Sequence, residues 1–213
     1  ATVLDRLVHH AVFRVLNPIF DRVFIEDSYS CRKVKGTHAS LRRLQQFCRG
    51  MSQGDRQTFW GLKCDVRRFF DSIDHALLMQ CIERRVMCRG TLHIVRHILD
   101  SFCTAPGKGL PLGNVTSQLF ANIYLHELDR FVKHELGVRH YLRYCDDCLI
   151  LGRTGGELLE FKVRIEEFLR ERLLLDLHPD KVHLRTWQMG IDWVGYGVRP
   201  SHTVLRTATR RRM

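Results

Sequence analysis

The sequence predicts an α+β fold in which an antiparallel sheet carries helices on one face. Three observations point there. Segments with helical spacing flank, rather than regularly alternate with, the strand-like runs. "TFWGLKCDV" (58–66) is short, aromatic and apolar, and bounded by turn signals, as a buried strand is. "GVRHYLRY" and "CLILG" form a hairpin around a pair of aspartates, Asp146 and Asp147.

Taken in order, residues 2–24 place Leu4, Leu7, Val8, Ala11, Val12, Val15, Leu16 and Ile19 on one helical face, with Pro18 either kinking the helix or ending its first half. "SYSCRKVKGTH" (28–38) is a basic loop, and Thr37 is the expected N-cap of the helix "HASLRRLQQFCR". "MSQGD" (51–55) is a turn before the 58–66 strand. Helices follow over about 74–88, capped by Asp74, and over 91–103. "APGKGLPLG" (105–113) is a loop. The helix at 115–136 carries Leu119, Phe120, Ile123, Tyr124, Leu128, Phe131 and Val132, and another covers 156–173. Short strands are expected at "DLH", "KVHLR" and "WVGYGV", and the basic end "TRRRM" is expected to fray.

Composition narrows the function. Of 213 residues, 34 are Lys or Arg and 23 are Asp or Glu, a net charge of +11 that favours a polyanionic partner, most simply nucleic acid. No apolar run approaches the ~20 residues of a membrane span, and the N-terminus reads as an amphipathic helix rather than a signal peptide. Eight scattered cysteines fit free thiols in a reducing, cytoplasmic setting. Cys145 and Cys148 have C-x-x-C spacing, but no second pair completes a zinc site.

Paired aspartates at a hairpin tip are costly unless something neutralises them. Asp65 ends the 58–66 strand. If that strand lies beside the hairpin, backbones about 5 Å apart bring Asp65 to Asp146 and Asp147. Three such carboxylates raise one another's pKa. Two divalent cations about 4 Å apart would relieve the repulsion and support in-line phosphoryl transfer. Spacing alone leaves a second reading open, an Asx turn beside an unrelated strand-end aspartate.

"LKCDVRRFFDSID" and "YCDD" resemble the two catalytic palm motifs of reverse transcriptases. "GLPLGNVTSQLFANIYLHELD" (109–129) is similar to the family's template- and nucleotide-facing segment, "LLLDLHPDKVHL" (173–184) to its lysine-bearing motif, and "WVGYGV" to its primer-grip hairpin. The resemblance implies a polymerase palm over 58–198, partial fingers over 1–57 with 75–112 contributing, and a basic tail over 199–213. It implies Mg²⁺, with Mn²⁺ as a substitute, on Asp65, the Val66 carbonyl, Asp146 and Asp147. Lys181 would meet the leaving pyrophosphate. One of Phe69 and Phe70, with Phe70 favoured, would exclude a ribose 2′-OH, the other being a core residue. Leu112, Gly113 and Gln118 would face the nucleotide. Arg32, Lys33, Lys35, Trp193, Gly195 and Tyr196 would meet nucleic acid.

Most reverse transcriptases carry Gln-Gly where this chain has Leu112-Gly113, and Ser-Pro where it has Ser117-Gln118. The aliphatic residue resembles the reverse transcriptases of diversity-generating retroelements, which copy RNA with errors at adenine. That implies a template RNA, a DNA primer, deoxynucleotides and a small basic oligomeric accessory protein as partners. A group II intron, retron or defence-associated enzyme is the alternative, and a non-catalytic RNA-binding subunit the alternative of another class. The family's triphosphate-gripping fingers strands and helical thumb have no counterpart here, so a fragment of a longer enzyme or a reduced protein is expected.

Overall fold

The computed structural model describes residues 2–206. In chain order the elements are α1 (Val3–Asp21), α2 (Thr37–Ser52), β1 (Trp60–Asp65), α3 (Phe69–Ser72), α4 (His75–Glu83), α5 (Arg89–Asp100), α6 (Val115–Arg130), β2 (His140–Tyr144), β3 (Asp147–Gly152), α7 (Gly155–Leu173), β4 (His183–Thr186), β5 (Ile191–Trp193), β6 (Tyr196–Val198) and β7 (Thr203–Leu205). The last turn of α6 widens into a π-helical turn, Phe131–Glu135.

The main sheet has the order β2-β3-β1-β4, with every neighbouring pair antiparallel. Alternation sets its two faces. Leu62, Cys64, Tyr141, Cys148 and Ile150 join a core with α1, α4, α5, α6 and α7. Phe59, Leu142, Leu149 and Leu151 face the other way, into a second core with α2 and the small sheet β5-β6-β7. The sheet therefore has helices on one face, as the sequence predicts, and the opposite face is covered too. Gly61 permits that cover, because a Cβ there would come within 3.0 Å of the Ile191 side chain.

Helix α6 is the central strut. From Thr116 to Asp129 nearly every residue is buried, so polar side chains on it must find partners inside. Helix α1 starts on a capping box between Thr2 and Asp5 and runs through Pro18 without ending. Its buried stripe is Val12, Leu16 and Phe20; Leu4, Leu7, Val8, Val15 and Ile19 of the predicted face are exposed. Helical spacing marked two apolar stripes as one, and α6 and α5 cover only the first. Gly36, at φ 118°, is the N-cap of α2, and Thr37 is the first helical residue instead. "DLH" forms no strand but a single bridge, Val66 to Leu177. The expected tail supplies β7, which pairs with β6; residues 207–213, including "TRRRM", lie outside the described residues.

Trp193 was expected at nucleic acid. It is fully buried in the second core, and its indole N–H donates to Ser40 Oγ at 2.6 Å. Trp193→Ala should cost about 3–5 kcal/mol, read as a lower urea midpoint with an unchanged slope. An unchanged midpoint would contradict this packing.

Candidate active site

The pairing of β1 with β3 builds the site. Asp65 is the register partner of Asp147, and the Val66 N–H donates to the Asp146 carbonyl at 3.3 Å. The Asp65 carbonyl accepts from the His178 N–H at 2.8 Å, so the strand end is fixed from the other side as well. The turn between β2 and β3 places Cys145 at φ 55°, a left-handed conformation uncommon outside glycine, and Asp146 directly after it. All three aspartates thus lie at one end of the sheet.

Two lysines compensate two of the three carboxylates. Lys63, two residues before Asp65 and on the same face, lies 2.8 Å from Asp147 Oδ1. Lys181 reaches both Asp65 oxygens at 3.2 Å. Burial pushes the Asp146 carboxyl up, with the charges of Asp65 and Asp147 adding to it. Burial also pushes Asp147 up, Lys63 pulls it back, and Asp65 raises it again.

The sequence reading gathered Asp65, Val66, Asp146 and Asp147 around two cations. The backbones converge as that requires. As the side chains stand, however, no group of three or more His, Cys, Asp or Glu among the described residues is placed to hold a metal ion. The ammonium groups of Lys63 and Lys181 stand against two of the carboxylates instead. The donor chemistry still fits a hard divalent cation, since the candidates are all oxygens. Asp147 Oδ1, moreover, is buried without a well-directed hydrogen bond despite its ion pair.

The flanking residues fall in place unevenly. Phe69 is buried in the first core, whereas Phe70 is half-buried beside it, ring centroids 5.4 Å apart. The Leu110 N–H donates to the Phe70 carbonyl at 2.8 Å, tying the 105–113 loop to the segment after Asp65. Two residues on, Leu112 is 77% exposed, so it is not a core leucine. Gly113 follows at φ 95°, and Gln118 is exposed on the first turn of α6.

Two of the basic residues expected at nucleic acid are structural. Arg32, 8% exposed at its side chain, binds the Asp21 carboxylate at 2.6 Å and the carbonyls of Ile25 and Ser28. Lys35 is paired with the Glu26 carboxylate and bonded to the Glu26 carbonyl at 2.8 Å. Lys33 is exposed. Tyr196 is half-buried, and Gly195 forms the β5–β6 turn at φ 88°, its carbonyl accepting from the Arg206 N–H at 3.0 Å. The sequence reading missed Lys63, although alternation alone puts it on the face of Asp65.

The upward shifts of Asp146 and Asp147 cost stability. That cost is fully present above the raised folded values and disappears as pH falls through them. Asp146→Asn should therefore raise Tm by about 2–4 °C at pH 7.5 in EDTA. The gain should shrink as the pH approaches 4. A gain independent of pH, or a loss, would contradict the assignment.

Residues 1–198 match the family model described as reverse transcriptase (RNA-dependent DNA polymerase). Protein YkfC of Escherichia coli (strain K12) is 30% identical over 233 residues, covering 90% of this chain and 60% of the relative. The group II intron-encoded protein LtrA of Lactococcus lactis subsp. cremoris is 29% identical over 137 residues, 62% of this chain and 22% of LtrA. The chain thus spans less than two thirds of these relatives. The solved apo telomerase of Candida tropicalis, truncated from its C-terminal domain, shares the fold with a TM-score of 0.71 at 15% identity, over 92% of this chain and 45% of that one. The telomerase of the same organism in complex with a fragment of telomeric RNA gives a TM-score of 0.68 at 13% identity, over 96% of this chain and 37% of that one. With the matched model spanning nearly all of its length, this chain belongs to the reverse transcriptase family.

Proposed function

We propose that this chain carries the palm and part of the fingers of an enzyme that extends a DNA primer on an RNA template with deoxynucleotides. The observation that carries the reading is the register of Asp65 against Asp147, with Asp146 bonded through its carbonyl to Val66. Asp65, Asp146, Asp147 and the Val66 carbonyl would hold Mg²⁺, or Mn²⁺ in its place. Such cations, when bound, lower the pKa of an attacking hydroxyl and offset charge on a leaving group.

The chain's own residues do the rest. The primer 3′ hydroxyl gives up its proton to solvent water, and its oxygen bonds to the α-phosphorus as the bond from that phosphorus to the α,β-bridging oxygen breaks, releasing pyrophosphate. Lys181, 54% exposed at its side chain, is accessible to the leaving pyrophosphate and would turn from Asp65 to donate to it. Phe70, half-buried next to a packed Phe69, limits the space at the sugar. Leu112 presents only an apolar surface, where a polar residue could hydrogen-bond the nucleotide.

Within this reading, exposed Leu112 followed by "GNVTSQ" favours an error-prone enzyme of a diversity-generating retroelement, working with a small basic accessory protein. A second reading, an intron-type enzyme, is favoured by the similarity to LtrA and fits at least as well. Leu112→Gln separates the two. The first predicts that misincorporation opposite template adenine falls about 5- to 150-fold, the equivalent of ~1–3 kcal/mol of polar discrimination. An unchanged error rate contradicts the first and leaves the second standing.

Primer extension on an RNA template with Mg²⁺ tests the activity itself. Asp146→Asn should slow it by roughly 10³-fold or more while RNA affinity is kept. Tight RNA binding by a wild-type protein that extends no primer would replace the enzyme with a non-catalytic RNA-binding subunit.

A further inference from the structure

Behind the catalytic turn, on the face of the sheet opposite Asp65, lies a buried charge that the reaction scheme above does not use. Arg143 sits on β2 with its side chain 1% exposed, pointing into α6. Its Nε and Nη2 donate to the two oxygens of Asp129 at 2.8 and 2.7 Å, a bidentate fork. Its Nη1 donates to Asn122 Oδ1 and to the Cys145 carbonyl, both at 3.0 Å. The Tyr141 hydroxyl shares Asp129 Oδ1 at 2.9 Å, and Asn122 Nδ2 donates to the Ser30 carbonyl at 2.9 Å. The Arg143 main chain is held as well, its N–H donating to the Asp27 carbonyl and its carbonyl accepting from the Tyr29 N–H.

Stability alone does not call for this arrangement. A buried ion pair can often be exchanged for apolar residues of similar volume without loss. What no apolar residue supplies is the bond from Nη1 to the Cys145 carbonyl. That carbonyl belongs to the peptide that leads into Asp146, and Cys145 holds a left-handed φ of 55° that nothing in its own chemistry favours. On the other side the Asp146 carbonyl accepts from Val66. The turn is therefore pinned twice, to α6 through Arg143 and to β1 through Val66.

We propose that Arg143 is a positioning residue for the reaction, fixing the peptide between Cys145 and Asp146 so that the Asp146 carboxylate meets those of Asp65 and Asp147. Asp129 and Asn122 orient the guanidinium, and Asp129 lets a permanent charge sit in the core. Lysine cannot replace it, because one ammonium lacks the planar fork that reaches Asp129, Asn122 and Cys145 together. The proposal rests on the polymerase reading for its effect on rate, but not for its effect on cation binding.

The test uses two variants. Arg143→Lys keeps the charge. Arg143→Met/Asp129→Leu/Tyr141→Phe replaces the buried ion pair and its hydroxyl with apolar groups and leaves Asn122 its bond to the Ser30 carbonyl. Each is measured for thermal midpoint, for Mn²⁺ affinity by electron paramagnetic resonance without nucleic acid, for primer–template affinity and for single-turnover extension. Folded variants should bind Mn²⁺ about tenfold more weakly and extend roughly 10–100-fold more slowly, with primer–template affinity unchanged within about twofold. A folded variant with wild-type Mn²⁺ affinity and rate overturns the proposal. If the triple variant does not fold, Arg143→Lys decides by the same readouts. If the wild type proves inert, the polymerase reading fails separately and Mn²⁺ affinity still decides the role of Arg143.

Discussion

The register between β1 and β3 is the constraint on which everything else depends. It is set far from the carboxylates. Leu62, Cys64, Cys148 and Ile150 must face the helices, while Leu149 and Leu151 must face the second core. A slip by one residue would turn every one of these side chains to the wrong face. With the apolar positions locked, Asp65 has no choice but to stand opposite Asp147. Hydrophobic burial along the strands thus provides the force that holds mutually repelling acids together at the strand ends.

Holding them there raises a charge problem that the fold solves in layers. In front, Lys63 and Lys181 neutralise Asp147 and Asp65. Behind, α6 is buried almost all round, and two of the polar side chains it carries into the core are bonded to neighbours, Asn122 to Ser30 and Arg143, and Asp129 to Arg143 and Tyr141, whereas His126 Nδ1 is buried without a hydrogen-bond partner among the described residues. Among the described residues no ion pair is made to Asp146, and burial raises its carboxyl above its ordinary value. A buried carboxylate with no described cation beside it is where an incoming cation would gain most.

Much of this was legible in the residues, because two periods, 3.6 and 2, separate helices from strands here with little ambiguity. The strand ending at Asp65, the hairpin around Asp146 and Asp147, and the helix behind them follow from pattern alone. What pattern cannot show is which partner a charge already has. Arg32 and Lys35 look like free cations in a basic loop, yet Asp21 and Glu26, 11 and 9 residues upstream, hold them. Trp193 sits next to a turn, yet the second core needs its volume. The outer stripe of α1 falls in with the inner one because spacing records that a face is apolar and not whether anything covers it. Arg143 and Asp129 lie 14 positions apart, and their pairing appears only once β2 is known to lie on α6. Strand β7 is three residues long, too short to announce itself within a basic run.

The most direct test of the account is to map where a bound cation sits without using activity at all. Fe²⁺ substituted at the site, with ascorbate and peroxide, cuts the backbone nearest to it. The account predicts cuts at two places distant in sequence, beside Asp65–Val66 and within Cys145–Asp147, both suppressed by excess Mg²⁺. Cutting at one of these without the other, or at neither, would show that the acids do not share a cation and would contradict the account at its root.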